Sequence, residues 1–443
     1  MHTTMKRRML AVPVAALAAA TLALTGCGST DGGSGSGDGG TTTVTWWSWN
    51  PDQATAKPYI EAFEKEHPDI KIEHRFIQYS DYASTVQLGV QSGSGPDVFG
   101  TQVGALTTQF APLAEDLAPV FEEELGGDWA DLITASEQLT VDGKLVGAPW
   151  MITGGGIVWA NQTIIDELGL TMPTNRDELV DFCAAVQASG RDCITQGAKD
   201  AWQNIDVFQV IANQIEPGAF YEAIDGETPF DSDTFVESFA QWKSLFDDGI
   251  FQDGALGMTA YPDASDSFRK GEAVLMINGT WENSNTTNAR MKDFTEIYGE
   301  ASGASIYMPY QVPALVDGAD TDFLFGGPDV GFAVSASSKV KDAANTFVMW
   351  LTASEAGQNI MADRVQQPSL RSVSLNMDDV ITDEQRAALE SQAPLLADLI
   401  GARQIQSADV QTSLGDALSA VASGQMTPEE AAASVQKAID AAG

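Results

Sequence analysis

Near the start of the chain, alternating patterns narrow the fold more than any other feature of the sequence. Residues 44–49 are a β-branched and aromatic run that reads as a strand. Residues 53–66 carry Tyr59, Ile60 and Phe63 at helical spacing and stop short of Pro68. Residues 70–76 alternate as a second strand, residues 84–91 read as a helix broken by glycine at 93–95, and residues 97–99 form a short buried strand. Strand, helix, strand, helix, strand predicts a βαβ series, hence an α/β fold with a mainly parallel sheet flanked by helices.

The same alternation continues more sparsely. Residues 156–159, 273–277 and 331–335 read as strands, and residues 163–168 and 340–351 as helices. Thr174 is placed to cap a helix starting near Asn175, with Asp177 and Glu178 in its first turn, running through Cys183 and ending near Gly190. The last helix has a clear start: Thr427 as N-cap, Pro428 at the first position and Glu430 closing a capping box. There is no internal repeat of 20 to 50 residues.

The N-terminus points to export. Lys6, Arg7 and Arg8 precede an apolar stretch over residues 10–24, too short and too Ala-rich for a permanent span. Leu24-Thr25-Gly26-Cys27 follows, and this tetrapeptide resembles the lipobox of bacterial lipoproteins. That resemblance implies a signal peptide over residues 1–26 and a lipid on Cys27, anchoring the protein to the outer face of the cytoplasmic membrane. Residues 28–43 are almost all Gly, Ser, Thr and Asp, a composition that buries no core, so residues 27–42 are expected to be a flexible tether.

Without the signal about 417 residues remain, more than one core usually supports, so two lobes are expected. The net charge of −39 becomes −42 once Lys6, Arg7 and Arg8 are removed. Nucleic acid is excluded as a partner, since phosphate binding needs a basic face. Strongly anionic solutes are disfavoured too, unless a local basic pocket sits in the acidic whole. With Cys27 assigned to lipid, Cys183 and Cys193 are left as a pair in an oxidising compartment and are expected to form a disulfide, stabilising by roughly 3 kcal/mol. Two remaining Cys and three His argue against a structural zinc site; His67 and His74 are expected to have ordinary surface roles, and no metal or cofactor is expected.

Several segments resemble one family. They are Phe268-Arg269-Lys270-Gly271-Glu272-Ala273 and Met276-Ile277-Asn278-Gly279-Thr280-Trp281-Glu282; Asn161-Gln162-Thr163 with Asp166-Glu167-Leu168-Gly169-Leu170 and Pro173; Gly326-Gly327-Pro328 with Gly331-Phe332-Ala333-Val334-Ser335; and Pro368 with Arg371-Ser372-Val373. Together they resemble the extracellular solute-binding proteins of ABC importers, in the branch that includes maltose-binding protein. One departure stands out: where the family usually has Tyr-Asn-Lys, this chain has Trp159-Ala160-Asn161. The resemblance runs from about residue 43 to the end. It implies a two-lobed (type II) binding-protein fold whose lobes are joined by crossing segments, the first over residues 43–150 and 312–353, the second over 151–311 and 354–443. It also implies a monomer that closes on a solute by a hinge motion and is read by permease subunits. On this reading the chain is a carrier of a sugar, a neutral oligosaccharide by family habit, and not an enzyme.

A sugar site needs flat aromatic platforms beside polar side chains. Alternation puts Trp47 and Trp49 on one face of the first strand and Trp46 on the core face. Ligands of open α/β sheets sit beyond the carboxyl ends of strands, which favours Ser48, Trp49, Asn50 and, after the third strand, Gln102. Trp150 precedes Thr153-Gly154-Gly155-Gly156, read as a hinge or a point of close ligand approach. Trp202, Asn204 and Asp206 read as an aromatic, amide and carboxylate set on a second-lobe loop. The resemblance places Trp281 and Glu282 in the cleft; Asp322, Phe325 and Arg371 are further candidates near the crossings. Trp242 and Trp350, mid-helix among apolar neighbours, are assigned to the core.

Alternatives stay open at this level. A secreted glycoside hydrolase would use two placed carboxylates, and 62 acidic residues supply chance pairs, although no Gly-x-Ser-x-Gly motif is present. A polyamine carrier would need a box of carboxylates with aromatics. An adhesin without a small ligand is the third alternative.

Overall fold

The computed structural model describes residues 40–316 and 318–442; the signal peptide, Cys27 and nearly all of the tether lie outside them. The first strand, β1 (Thr42–Ser48), begins where the tether was expected to end. Asp52 starts the helix Gln53–Glu66, its carboxylate accepting the Thr55 N–H at 2.8 Å. β2 (Ile70–Phe76) follows. The next helix, Tyr79–Ser92, starts a turn earlier than its apolar pattern suggested and ends on Gly93 at φ 73°, a left-handed cap that glycine adopts freely.

β3 (Val98–Thr101) completes a parallel triplet in which β1 pairs with both β2 and β3. A short hairpin, β4 (Thr140–Val141) and β5 (Lys144–Leu145), leads into β6 (Ala148–Asn161), every residue of which is buried. β7 (Asp192–Thr195), β8 (Ala273–Gly279), β9 (Tyr307–Gln311), β10 (Phe325–Val334) and β11 (Gln367–Pro368) complete a nine-stranded sheet. Its order is β2-β1-β3-β10-β6-β8-β7, with β9 and β11 also on β6. β10 runs against β3 and β6, and β6 runs against β8 and β9, so each half of the sheet holds one strand opposed to the rest.

Two large cores sit on the two halves. One gathers Val44, Trp46, Tyr59, Phe63, Phe332 and Phe347. The other gathers Val158, Phe182, Phe208, Phe239, Trp242 and Leu418. Trp46 is fully buried, as alternation predicted, and Trp242 and Trp350 are buried too, their indole N–H groups donating to Leu418 O at 2.9 Å and to Glu66 at 3.1 Å. The cores divide the chain differently from the expected boundaries. Val312, Leu315 and Phe325 pack with the second core, and Met361, Ala362, Leu370 and Val373 with the first. The return crossing lies within β10 itself, and the helix Glu355–Ala362 turns back onto the first half.

Local features carry small corrections. Asn175, not Thr174, caps the helix Arg176–Ala188, accepting the Glu178 N–H at 3.0 Å; Thr174 instead donates its N–H and hydroxyl to the Glu178 carboxylate, both at 2.8 Å. Cys183 and Cys193 are joined as a disulfide, tying that helix to β7. The capping box before Pro428 forms, Thr427 N–H donating to Glu430 at 3.0 Å and the Glu430 N–H to Thr427 at 3.3 Å. The glycines after Trp150 serve packing rather than ligand approach. A Cβ on Gly154 or Gly155 would press on Leu324 or Phe325, and one on Gly326 would collide with the Thr153 carbonyl where β6 and β10 cross. Gly156 takes φ +96°, which only glycine adopts without strain. No helix among the described residues is long and apolar enough to cross a membrane, and among them no cluster of His, Cys, Asp and Glu is arranged for a metal.

Candidate functional site: an aromatic cleft between the two halves of the sheet

A cleft of about 380 Å³ opens between the two halves, within the roughly 300–1,000 Å³ range of small-molecule sites. The first half supplies Trp49, Asn50, Gln102 and Trp150 to it. Trp49 follows the end of β1 and lies over Gly100, where a Cβ would meet its ring; Tyr79 and Tyr82 brace it edge-on at 5.6 and 4.7 Å. Trp150 points from β6, edge-on to Tyr59 at 5.5 Å, and its indole N–H has no partner among the described residues. Gln102 accepts the Tyr79 hydroxyl at 2.7 Å and donates to Asp329 at 2.6 Å.

The second half supplies a cluster of three rings. Trp202 and Tyr261 stack at 6.0 Å with planes 11° apart, and Trp281 stands edge-on to Trp202 at 6.3 Å. The Tyr261 hydroxyl is the hub: it accepts the Trp281 indole N–H at 3.0 Å and the Asn278 amide at 2.9 Å, and donates to Glu282 at 2.7 Å. Arg269 holds Glu282 at 3.1 Å, and Asn285 donates to it at 2.8 Å. Behind the rings, Arg403 reaches Asp206 at 2.9 Å and Asp329 at 2.6 Å while its guanidinium lies over Trp281 and Trp202.

Burial and neighbouring charges shift several of these groups. Burial alone would raise the Glu282 carboxyl, but Arg269 and the Tyr261 hydroxyl outweigh it and hold the group below its usual range. Burial pushes the Tyr79 phenol up to about 12, so it stays a neutral donor. Burial likewise raises Asp206 to about 6, with Arg403 pulling the other way. Glu282 and Asp329, the buried carboxylates of the wall, are both engaged by arginine.

Six expected contacts lie outside the cleft. Ser48 is fully buried, donating to Pro51 O at 2.9 Å and meeting His74 Nε2 at 2.7 Å, because alternation turns it inward with Trp46. That also makes His74 half-buried rather than a surface residue. Residues 202, 204 and 206 lie on the helix Ala201–Ile215, not on a loop. Helical spacing turns Asn204 away from Trp202, where it donates to Ala198 O at 2.9 Å and accepts from Gln196 at 3.1 Å. Asp206, one turn after Trp202, supports Arg403 without lining the cleft. Phe325 is core, packed on Gly155; Asp322 and Arg371 are exposed.

Tyr79, Tyr261, Arg269, Asp329 and Arg403 line the cleft without having been singled out. Asp52, Arg290 and Arg364 line it as well. A helix-start reading would have found Asp52, whose N-cap position puts it one turn past the tip of β1. Arg403 stands alone in an irregular stretch and gives no periodic signal.

The family described as bacterial extracellular solute-binding protein matches residues 58–388 of this chain. Among curated relatives, the multiple sugar-binding protein of Streptococcus mutans is 22% identical over 313 residues, 69% of each chain. The mannitol-binding protein of Pseudomonas aeruginosa is 22% identical over 88% of this chain and 90% of its own. Among solved structures, the ABC substrate-binding protein from Listeria monocytogenes in complex with cycloalternan superposes with a TM-score of 0.72 at 19% identity, covering 91% of this chain and 99% of its own. The fold is therefore the two-lobed one, each half of the sheet forming a lobe.

Proposed function

Since this chain belongs to the bacterial extracellular solute-binding proteins, we propose that it captures a carbohydrate in the cleft between its lobes and delivers it to the permease of an ABC importer. One observation carries the reading: the Trp202, Tyr261 and Trp281 rings face Trp49 and Trp150 across a cleft whose rim is set with amide, carboxylate and guanidinium groups. Aromatic faces suit the C–H faces of a sugar, and the polar rim suits its hydroxyls. Relatives named for multiple sugars and for mannitol support the same ligand class. Trp49, Asn50, Gln102, Trp150, Trp202, Trp281 and Glu282 are the proposed contacts, joined by Tyr261 and Arg403.

The protein is a carrier and not an enzyme on this reading, because Glu282 and Asp329, the buried carboxylates of the cleft wall, are each paired with an arginine rather than set as an acid and a base across a bond. It works as a monomer, exported by the signal at residues 1–26 and held by a lipid on Cys27. Lobe closure adds second-lobe contacts to a sugar already on the first, and that differential is what drives the closed state. The test is a thermal-shift screen of mono- and oligosaccharides, polyamines and amino acids against the purified protein. Carbohydrates should raise the melting temperature in a saturable way, since a ligand binding only the folded state stabilises it. Hits confined to polyamines or amino acids would sink the sugar reading and leave the family untouched.

A further inference from the structure

Four arginines, Arg269, Arg290, Arg364 and Arg403, line the cleft of a chain whose net charge is −39. Two of them have assigned counter-charges: Arg269 holds Glu282, and Arg403 holds Asp206 and Asp329. Of the other two, Arg364 has none among the described residues and Arg290 has only a longer pair with a half-exposed carboxylate. Arg364 follows the helix Glu355–Ala362 on the first lobe; it donates to the Thr55 hydroxyl at 3.2 Å and makes no ion pair among the described residues. Arg290 stands on the helix Asn288–Tyr298 of the second lobe. Its nearest carboxylate is Asp293 on its own helix, half exposed and 3.6 Å away, and its buried Nε has no partner.

We infer that Arg290 and Arg364 form a subsite, one residue from each lobe, for a single carboxylate on an otherwise neutral sugar, that is, for a uronic acid unit. The inference rests on the carbohydrate reading above and narrows it. Three observations bear on it. First, the pair belongs to opposite lobes, so closure brings like charges together, and an anion between them turns that cost into a cross-link. Burial foremost, with the like charges of Arg269 and Arg364, pulls the Arg290 guanidinium below its ordinary value against the opposite pull of Glu282 and Asp52. Second, the carboxylates near the pair are engaged elsewhere or held loosely: Asp52 caps a helix through Thr55, Glu282 is held by Arg269, and Asp293 lies half exposed at 3.6 Å from Arg290. Third, an arginine fork suits a planar carboxylate geometrically. The acidity of the whole chain does not oppose this, because charges more than a Debye length of about 8 Å away are screened while those in the cleft are not.

The experiment compares matched ligands on the full protein. Digalacturonate, trigalacturonate and a glucuronate-bearing disaccharide are titrated by calorimetry beside the same compounds with the carboxyl reduced to a primary alcohol. The expected result is acidic ligands binding about tenfold or more tighter than their reduced forms, as a charged hydrogen-bonded contact provides. Arg364→Gln and Arg290→Gln should each shrink that ratio to about threefold or less, and Arg364→Lys should keep part of it. Equal binding of acidic and reduced ligands by the native protein overturns the subsite, as does a ratio that survives both substitutions. That comparison needs no variant, so it decides even if a variant fails to fold. Failure of every sugar, acidic or reduced, overturns the carbohydrate reading itself and is distinguishable on sight.

Discussion

The guanidinium of Arg403 lies 4.2 Å from the ring centroid of Trp281, while Asp206 and Asp329 hold its other edge at 2.9 and 2.6 Å. A cation over an indole face fixes the ring from behind. The same residue joins the second lobe, through Asp206, to the crossing strand β10, through Asp329, and onward to Gln102. Trp281 is thus presented to the cleft already oriented, with little freedom left to lose on binding.

Replacing Arg403 should therefore harm the fold as well as the site. Arg403→Met leaves Asp206 and Asp329 buried without their cation, which costs about 3 kcal/mol or more. Urea denaturation should show this loss, and adding Asp206→Asn to Arg403→Met should recover part of it. A single variant within about 1 kcal/mol of the native protein would mean that Arg403 is not the counter-charge these carboxylates depend on.

Trp281→Ala removes the platform without burying a charge. Sugar affinity should fall about 30-fold, equivalent to about 2 kcal/mol, the scale of a central aromatic contact. Calorimetry on the sugar found by screening measures it. An unchanged affinity would assign Trp281 to packing between the lobes, where Gln366 already donates to its carbonyl at 3.2 Å.

His74 gives a pH prediction. The Ser48 hydroxyl donates to Pro51 O, so it accepts from His74 Nε2–H, and Nδ1 is left buried without a partner. Burial lowers the ring from 6.5 to about 4 in the folded protein, against a weaker opposite pull from Asp52. Its contribution is fully present above pH 6.5 and is lost as pH falls towards 4. Asp206 runs the other way: raised from 3.8 to about 6, it stabilises at low pH and loses that contribution as pH rises through 6. Comparing variants isolates each group. The urea midpoint should fall more steeply from pH 6.5 to 4 in the native protein than in His74→Gln; parallel curves would contradict the assignment.

At the crossing of β6 and β10, Gly326→Ala should lower stability by about 1–3 kcal/mol, because the added methyl meets the Thr153 carbonyl rather than a movable side chain. Gly126→Ala is no control here, since its φ of +91° strains any side chain; Gly127, with open space around it, is the position to compare. Similar losses at Gly326 and Gly127 would show that the crossing is not tightly packed.

The chain reveals its elements more readily than its cleft. The helix Gln53–Glu66 and the strand Ile70–Phe76 have the bounds their periodicity indicates, because each buries one face at a regular period. β6 and β10 are longer than expected, since strands buried on both faces and rich in glycine lose the alternation that marks a strand. Trp49, Trp150, Trp202 and Trp281 are large aromatics near element ends, and all four line the cleft. Asn204 faces away from the cleft because its segment is a helix, which spaces side chains differently from the expected loop. Arg403 and Asp329 were out of reach: they are 74 residues apart, and only the return of the chain across β10 brings them to 2.6 Å.

On the proposed function, the cleft binds a carbohydrate without transforming it. The most direct test is a calorimetric titration of the sugar identified by screening, followed by chromatography of the recovered ligand. The expected result is saturable binding of one sugar per protein, strongly weakened in Trp281→Ala, with the sugar recovered intact. No saturable heat with any carbohydrate, or recovery of cleaved sugar, would contradict it.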